Sequence, residues 1–266
     1  MKRQKARDAR INRFVTGSGI RKNTQTVLSS FLCLSMAALL PSIAAAASSG
    51  SSESVTSPDA LSNSFHHGFD GVWRIEHQIF AVKTTEDKLP PLNAAGSQIY
   101  QKHLASRRAG DTTFDDTTWC GGAGIPRLMF IDRPFQIVLQ PNKTVLFYYE
   151  WNRWSRLVFL TNSELSVETP SSMGVATAHW DGDTFVVSTN GFRQDTLLDS
   201  AGLPHSEQLN INERLRLISP DVLEDKITVT DLAFYTKPWE TRVTYHRQPN
   251  AEIHEDVCLD HLPSSL

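Results

Sequence analysis

The sequence predicts an all-β protein: an antiparallel meander closed into a barrel, with a two-sheet β-sandwich as the runner-up and one short helix. Three observations predict it. From Phe135 onwards, short runs rich in Val, Leu, Phe and Tyr follow one another. Turn chemistry separates them, with Asp181-Gly182-Asp183 as the strongest hairpin signal. Within Leu215-Arg216-Leu217 and Val243-Thr244-Tyr245, apolar and polar residues alternate, as in a sheet with one wet face. A long meander must avoid open edges, and closure into a barrel removes them altogether.

The elements follow in order. Strand structure is expected to begin near Phe69, in Gly71-Val72-Trp73-Arg74-Ile75, with a Pro-Pro turn at Pro90 and Pro91. The helix is expected over Ala94 to Arg108, because Ile99, Tyr100 and Leu104 share a face and Gly110 stops it. Asp111 to Pro126 reads as a polar loop carrying Cys120. Strands are expected at Phe135–Leu139, Thr144–Glu150 and Arg156–Leu160, with turns at Pro141-Asn142-Lys143 and Asn152-Arg153. Gly174–Trp180 and Thr184–Thr189 form one hairpin, and Leu209–Ile218 and Leu223–Thr230 flank Ser219-Pro220-Asp221 in another. Trp239–Arg247 and Glu252–Cys258 flank Gln248-Pro249-Asn250-Ala251, which brings the expected number of strands to about ten.

The N-terminal segment has another purpose. Its first 22 residues carry eight Lys and Arg against Asp8 alone, and Asn23 to Ala47 is uncharged. The apolar stretch Val27 to Leu40 closes on Pro41 and Ala44-Ala45-Ala46-Ala47. Basic region, apolar core and small-residue site together read as a secretory signal peptide over residues 1–47. The core is shorter than the about 20 apolar residues of a membrane helix. Cleavage near Ala46 or Ala47 is the first reading, an uncleaved anchor the second. Residues 48–66 are serine-rich and read as a flexible tether, and 67–262 as a single barrel domain. The protein is expected in the periplasm or outside the cell, with no stable membrane insertion after cleavage.

Charge and cysteine usage narrow the partners. Of the 26 basic and 29 acidic residues, 18 and 28 lie beyond the signal, a net charge near −10. This excludes nucleic acid, whose phosphates demand clustered Lys and Arg. Cys33 leaves with the signal, so Cys120 and Cys258 are expected to form one disulfide, with two separate buried thiols as the alternative.

Gly71-Val72-Trp73 resembles the Gly-x-Trp opening of lipocalins and other calycin barrels, in which the tryptophan plugs the closed end under a late arginine. Arg242 and Arg247 are both candidates for that arginine. A longer pattern is similar to a group of exported bacterial proteins. It comprises Ile125-Pro126-Arg127, His179-Trp180-Asp181-Gly182-Asp183-Thr184, Gly191-Phe192 to Asp199, and Gly202-Leu203-Pro204-His205-Ser206. Glu213-Arg214, Tyr235-Thr236-Lys237-Pro238-Trp239 and Asp256-Val257-Cys258 complete it. That likeness implies an exported β domain with a shared polar segment, and no reaction.

The polar segment from His179 to Arg214 holds the candidate chemistry. His179, His205, Asp183 and Asp199 are the candidate acid–base residues, since imidazole titrates near neutrality and a carboxylate fixes its tautomer. Arg127, Asp195, Glu213, Arg214 and Trp239 are candidate ligand-binding residues. Glu213 and Arg214 are adjacent on a strand, so one points into the barrel. That charge needs a partner: an ion pair with Asp183, Asp195 or Asp199, or a ligand. No compact metal motif is present, and no metal or nucleotide cofactor is expected. Ser206 lacks the G-x-S-x-G elbow of a serine hydrolase.

Trp151, Trp154, Phe147, Tyr148, Tyr149, Phe159, Phe185 and Phe234 supply either an apolar pocket or ordinary core. The functional expectation is an exported carrier of a small, lipophilic molecule. The alternative is a cofactor-independent acid–base enzyme (isomerase, lyase or hydrolase) working in the barrel mouth.

Overall fold

In the computed structural model, residues 68–140, 143–163 and 165–261 are described. The signal peptide and tether read from the sequence, and the turn expected at Pro141 and Asn142, are expectations that lie outside them. Nine strands form one closed barrel in chain order. They are β1 (Gly71–Ile75), β2 (Phe135–Gln140), β3 (Thr144–Tyr149), β4 (Ser155–Leu160) and β5 (Val175–Asp181), followed by β6 (Thr184–Asn190), β7 (Asn210–Ser219), β8 (Val222–Thr230) and β9 (Trp239–Arg247). Helix α1 (Ala94–Arg108) sits between β1 and β2.

Closure is made by β1 on β9, with Trp73 opposite Arg247 and Ile75 opposite Tyr245. A barrel, not a sandwich, is therefore the solution. Two expectations are corrected. The meander is not wholly antiparallel: β4 and β5 run parallel, Val158 beside Ala176. A closed up-and-down ring of nine strands must contain one such pair, and residues 161–174 carry the chain back to the starting end, the long crossover a parallel pair requires. Glu252–Cys258 is not a strand; a 3-10 turn at Cys258–His261 follows it. Once β1 has zipped to β9, no free edge remains to accept a tenth strand.

The alternation read from the sequence is realised in the bore. In β8, Leu223, Asp225, Ile227 and Val229 are buried while the residues between them are half-buried. β9 buries Trp239, Thr241, Val243 and Tyr245 in the same way.

One end of the barrel is closed by Trp73, which is fully buried and donates its indole N–H to the Phe69 carbonyl at 3.0 Å. Arg247, not Arg242, covers it, with its guanidinium carbon 4.2 Å from the ring centroid. The same guanidinium donates to the carbonyls of Gly68, Asp70 and Pro220, tying the chain entering β1 to the β7–β8 turn. Arg242 lies outside, paired with Glu224 at 3.2 Å.

The opposite end, the mouth, is where β1, β3, β6 and β8 finish, and the β1–β2, β6–β7 and β8–β9 connections fold over it. α1 is capped by Asn93, whose side chain accepts from the Gly96 amide at 3.0 Å, and carries Arg107 and Arg108 in its last turn. Both devices suit the helix dipole and its unpaired end groups. A Cβ at Gly96 would lie 2.5 Å from the Phe234 carbonyl oxygen, so only glycine lets the helix dock this closely on the β8–β9 connection. Ile125, Leu128, Phe130, Phe192, Leu198 and Leu203 join this plug to the barrel core. Cys120 and Cys258 form the expected disulfide, 138 residues apart in sequence, so it pins the C-terminal segment to the plug. Cys258 begins the 3-10 turn rather than ending a strand.

Candidate functional site

The polar segment divides among four places. His179 stands on the outer face of β5 and is exposed, in a groove with Thr161, Asn162, Thr177 and Ser188. Asp183 is exposed at the β5–β6 turn and pairs with Arg216 at 3.1 Å. Arg214 also points outward, to Asp181 at 2.9 Å. None of these three reaches the mouth, because their strands turn them to solvent.

Glu213 is the inward member of its pair and is 0% exposed. Its partner is neither Asp183, Asp195 nor Asp199 but Arg156 from β4, across the bore. Arg156 Nη1 donates to Glu213 Oε1 at 2.9 Å, and Nη2 donates to the other carboxylate oxygen and to Thr189 at 2.7 Å. Burial works against the charge on Arg156, but the Glu213 carboxylate outweighs it and holds the guanidinium protonated. Beside them lies Asp225, also fully buried, with neither oxygen in a hydrogen bond of good geometry among the described residues. Burial first, and the Glu213 charge second, push its carboxyl well above the usual range; attraction from Arg156 and the nearby Arg214 backbone amide opposes this without cancelling it. Phe147, Tyr149 and Phe185 fill the bore around these groups, whereas Phe159 faces outward and is 38% exposed. Trp239 is inward at the mouth, packed on Tyr235 with centroids 5.7 Å apart.

In the plug, Asp199 and Arg127 are braces. Asp199 Oδ1 accepts from the amides of Gly202 and Leu203 at 2.9 Å, and Oδ2 from Val82 at 2.9 Å. It thus shapes the β6–β7 connection and ties it to the chain after β1. Burial raises its pKa, against those three amides. Arg127 makes a two-pronged pair with Asp115 at 2.7 and 2.9 Å, and Arg107 adds a third contact at 2.6 Å. Burial would raise the Asp115 pKa, but Arg127 more than offsets it and brings the carboxyl to about 2.

His205 and Asp195 do meet, in a cleft of about 230 Å³ between α1 and the β6–β7 connection. Ile99, Phe114, Leu197 and Phe234 supply apolar walls, and His103 and Thr196 add polar atoms. His205 is 2% exposed; burial lowers its pKa and keeps it neutral near pH 7. Its Nδ1 lies 2.9 Å from the Ser206 carbonyl, which can only accept, so Nδ1 carries the proton. Nε2 is then an acceptor, and the Thr196 hydroxyl donates to it at 2.7 Å in preference to the Arg193 carbonyl at 3.4 Å. His103 repeats the logic: its Nδ1 donates to the Gly202 carbonyl at 2.7 Å, leaving Nε2 for another partner. Its ring stacks on Phe114, with centroids 4.3 Å apart and planes 8° from parallel. Asp195 stands at the rim, half-exposed, and pairs with Arg193 at 3.1 Å.

Sequence reasoning missed His103, Thr196, Arg156 and Asp225. Arg156 and Asp225 carried a signal, since each sits in phase with inward apolar neighbours (Val158; Leu223 and Ile227). Among the described residues, no group of three or more His, Cys, Asp or Glu is placed to hold a metal ion, and no helix is long and apolar enough to cross a membrane. No family model matches the chain and no curated protein matches it, so its function is read from this mouth and this bore.

Proposed function

We propose that this protein is an exported small-molecule-binding barrel that takes its ligand in the mouth cleft beside His103, Thr196 and His205. The observation that carries the reading is the cleft itself. It is a concave site with apolar walls and a few convergent polar groups, the usual composition of a ligand site. Its volume, about 230 Å³, falls below the ~300–1,000 Å³ of sites for drug-sized molecules, which points to a small metabolite. The bore is a poorer candidate for a lipophilic guest, because Arg156, Glu213 and Asp225 make its middle polar. The disulfide fits an oxidising compartment, in keeping with the secretory signal expected from the sequence and with a periplasmic or secreted location.

One observation favours the enzymatic alternative: a neutral histidine hydrogen-bonded to a hydroxyl in a cleft wall. Both His205 nitrogens are already engaged, however, and His179, Asp183 and Asp199 lie elsewhere. Any acid–base role in the cleft would fall to His103.

The test is native mass spectrometry of the protein isolated from its host, beside an Ile99→Trp variant that fills the cleft. A co-purifying organic mass should appear with the wild type and disappear from the variant. A mass retained by Ile99→Trp would put the ligand elsewhere and sink the proposal.

A further inference from the structure

We propose that the mouth cleft selects small planar molecules that donate hydrogen bonds, the chemistry of phenols and aromatic amines; this rests on the cleft being the ligand site. The polar atoms offered there are acceptors. In its neutral form His103 presents a lone pair at Nε2, because Nδ1 is committed as a donor to Gly202. Thr196 Oγ1 presents lone pairs, because its proton is committed to His205. Asp195 contributes a carboxylate at the rim. Gln194 alone among the polar side chains of the cleft can offer a donor. In the neutral rings each Nδ1–H is held by a backbone carbonyl, which cannot donate, so the geometry sets the tautomer before a ligand arrives.

The shape is equally restrictive. Stacking of His103 on Phe114 makes one flat wall, and Ile99 and Phe234 contribute apolar surface. A ring entering in the plane of the imidazole would bring its hydroxyl or amino group to His103 Nε2, whose lone pair lies in that plane. A carboxylate ligand would set an acceptor against these acceptors, with the Asp195 charge nearby, and an unsubstituted ring would leave the lone pairs of His103 Nε2 and Thr196 Oγ1 unmet. Discrimination by unmet hydrogen bonds is more powerful than discrimination by size.

The experiment titrates phenol, aniline, benzoate and toluene into the ligand-free protein and follows the side-chain resonances of His103 and the Thr196 methyl by NMR. Phenol and aniline should shift both resonances, and benzoate and toluene should bind at least about tenfold more weakly, the worth of one good hydrogen bond. His103→Phe keeps a stacked ring but no acceptor and should lose phenol about tenfold, while His103→Gln, which keeps an acceptor oxygen, should recover part of it. Both variants are checked for an unchanged melting temperature. Benzoate or toluene binding as tightly as phenol, or His103→Phe binding phenol normally, would overturn the inference while leaving the cleft as the binding site. If no probe moves these resonances the inference also fails, and the Ile99→Trp comparison then decides separately whether the cleft holds a ligand at all.

Discussion

Asp225 is the residue whose surroundings are least satisfied. Folding raises its affinity for a proton, so as pH climbs from about 4 the unfolded chain releases that proton before the folded one does. Stability should therefore fall as pH rises through the interval between the unfolded and the raised folded value. Asp225→Asn carries no such proton. In urea melts it should lose this part of the pH slope and gain on the wild type by about 1.4 kcal/mol for each pH unit climbed within that interval. The Arg156–Glu213 pair behaves differently, because each partner satisfies the other. Glu213→Ala should cost about 3–5 kcal/mol, whereas Arg156→Met with Glu213→Leu should come close to the wild type. The same urea midpoints decide it, and a single variant as stable as the double would refute the pairing argument.

Residue phase was legible in the sequence. Glu213 alternates with Ile211 and Leu215 and had to be the inward member of Glu213-Arg214. What stands opposite it was not legible. Partners across a bore depend on the stagger of all nine strands, a property of the closed ring and of no segment within it. His103 was hidden for a related reason, since its part in the cleft arises only where α1 docks on the β6–β7 connection.

At the scale of elements, the hairpins and the helix were readable because their information is local. α1 spans Ala94–Arg108, as apolar spacing and Gly110 indicated, and β9 spans Trp239–Arg247 as its flanking turns indicated. The parallel step from β4 to β5 was not readable, because a crossover and a loop look alike until the strands are paired. The plug shows how polar residues that resemble a catalytic set can serve architecture instead. Asp199 spends three acceptor bonds on backbone amides, and Asp115 two oxygens on two arginines. The disulfide belongs to this scale too. In the loop-entropy account, Cys120→Ser with Cys258→Ser should lower stability by about 4–5 kcal/mol for a 138-residue separation. Thermal melts in the presence and absence of a reductant measure it; an unchanged melting temperature would mean that the plug holds the C-terminal segment without the bond.

For the molecule as a whole, the lipocalin-like opening proved informative beyond its three residues. Trp73 and a late arginine close one end, and the structure chooses Arg247 between the two candidates. The division of labour that results is simple: a sealed base, a bore filled with aromatic rings and one charged pair, and a mouth built from connections that can vary without disturbing the strands. A ligand site on such a mouth is supported by rigid elements while its own contacts come from loops and one helix.

The pairing of β1 with β9 also sets a clock. Trp73 meets Arg247 only after 174 further residues have been made, so the first strand waits for the last one before either edge is covered. Until then the nascent sheet presents two open edges, the form most exposed to pairing with another chain. Every other ladder joins strands adjacent in the sequence and can form as the chain emerges. A polypeptide cut short before Trp239 would therefore keep most of its hairpins and still be unable to shut, and its fate would be association with its neighbours rather than a smaller barrel.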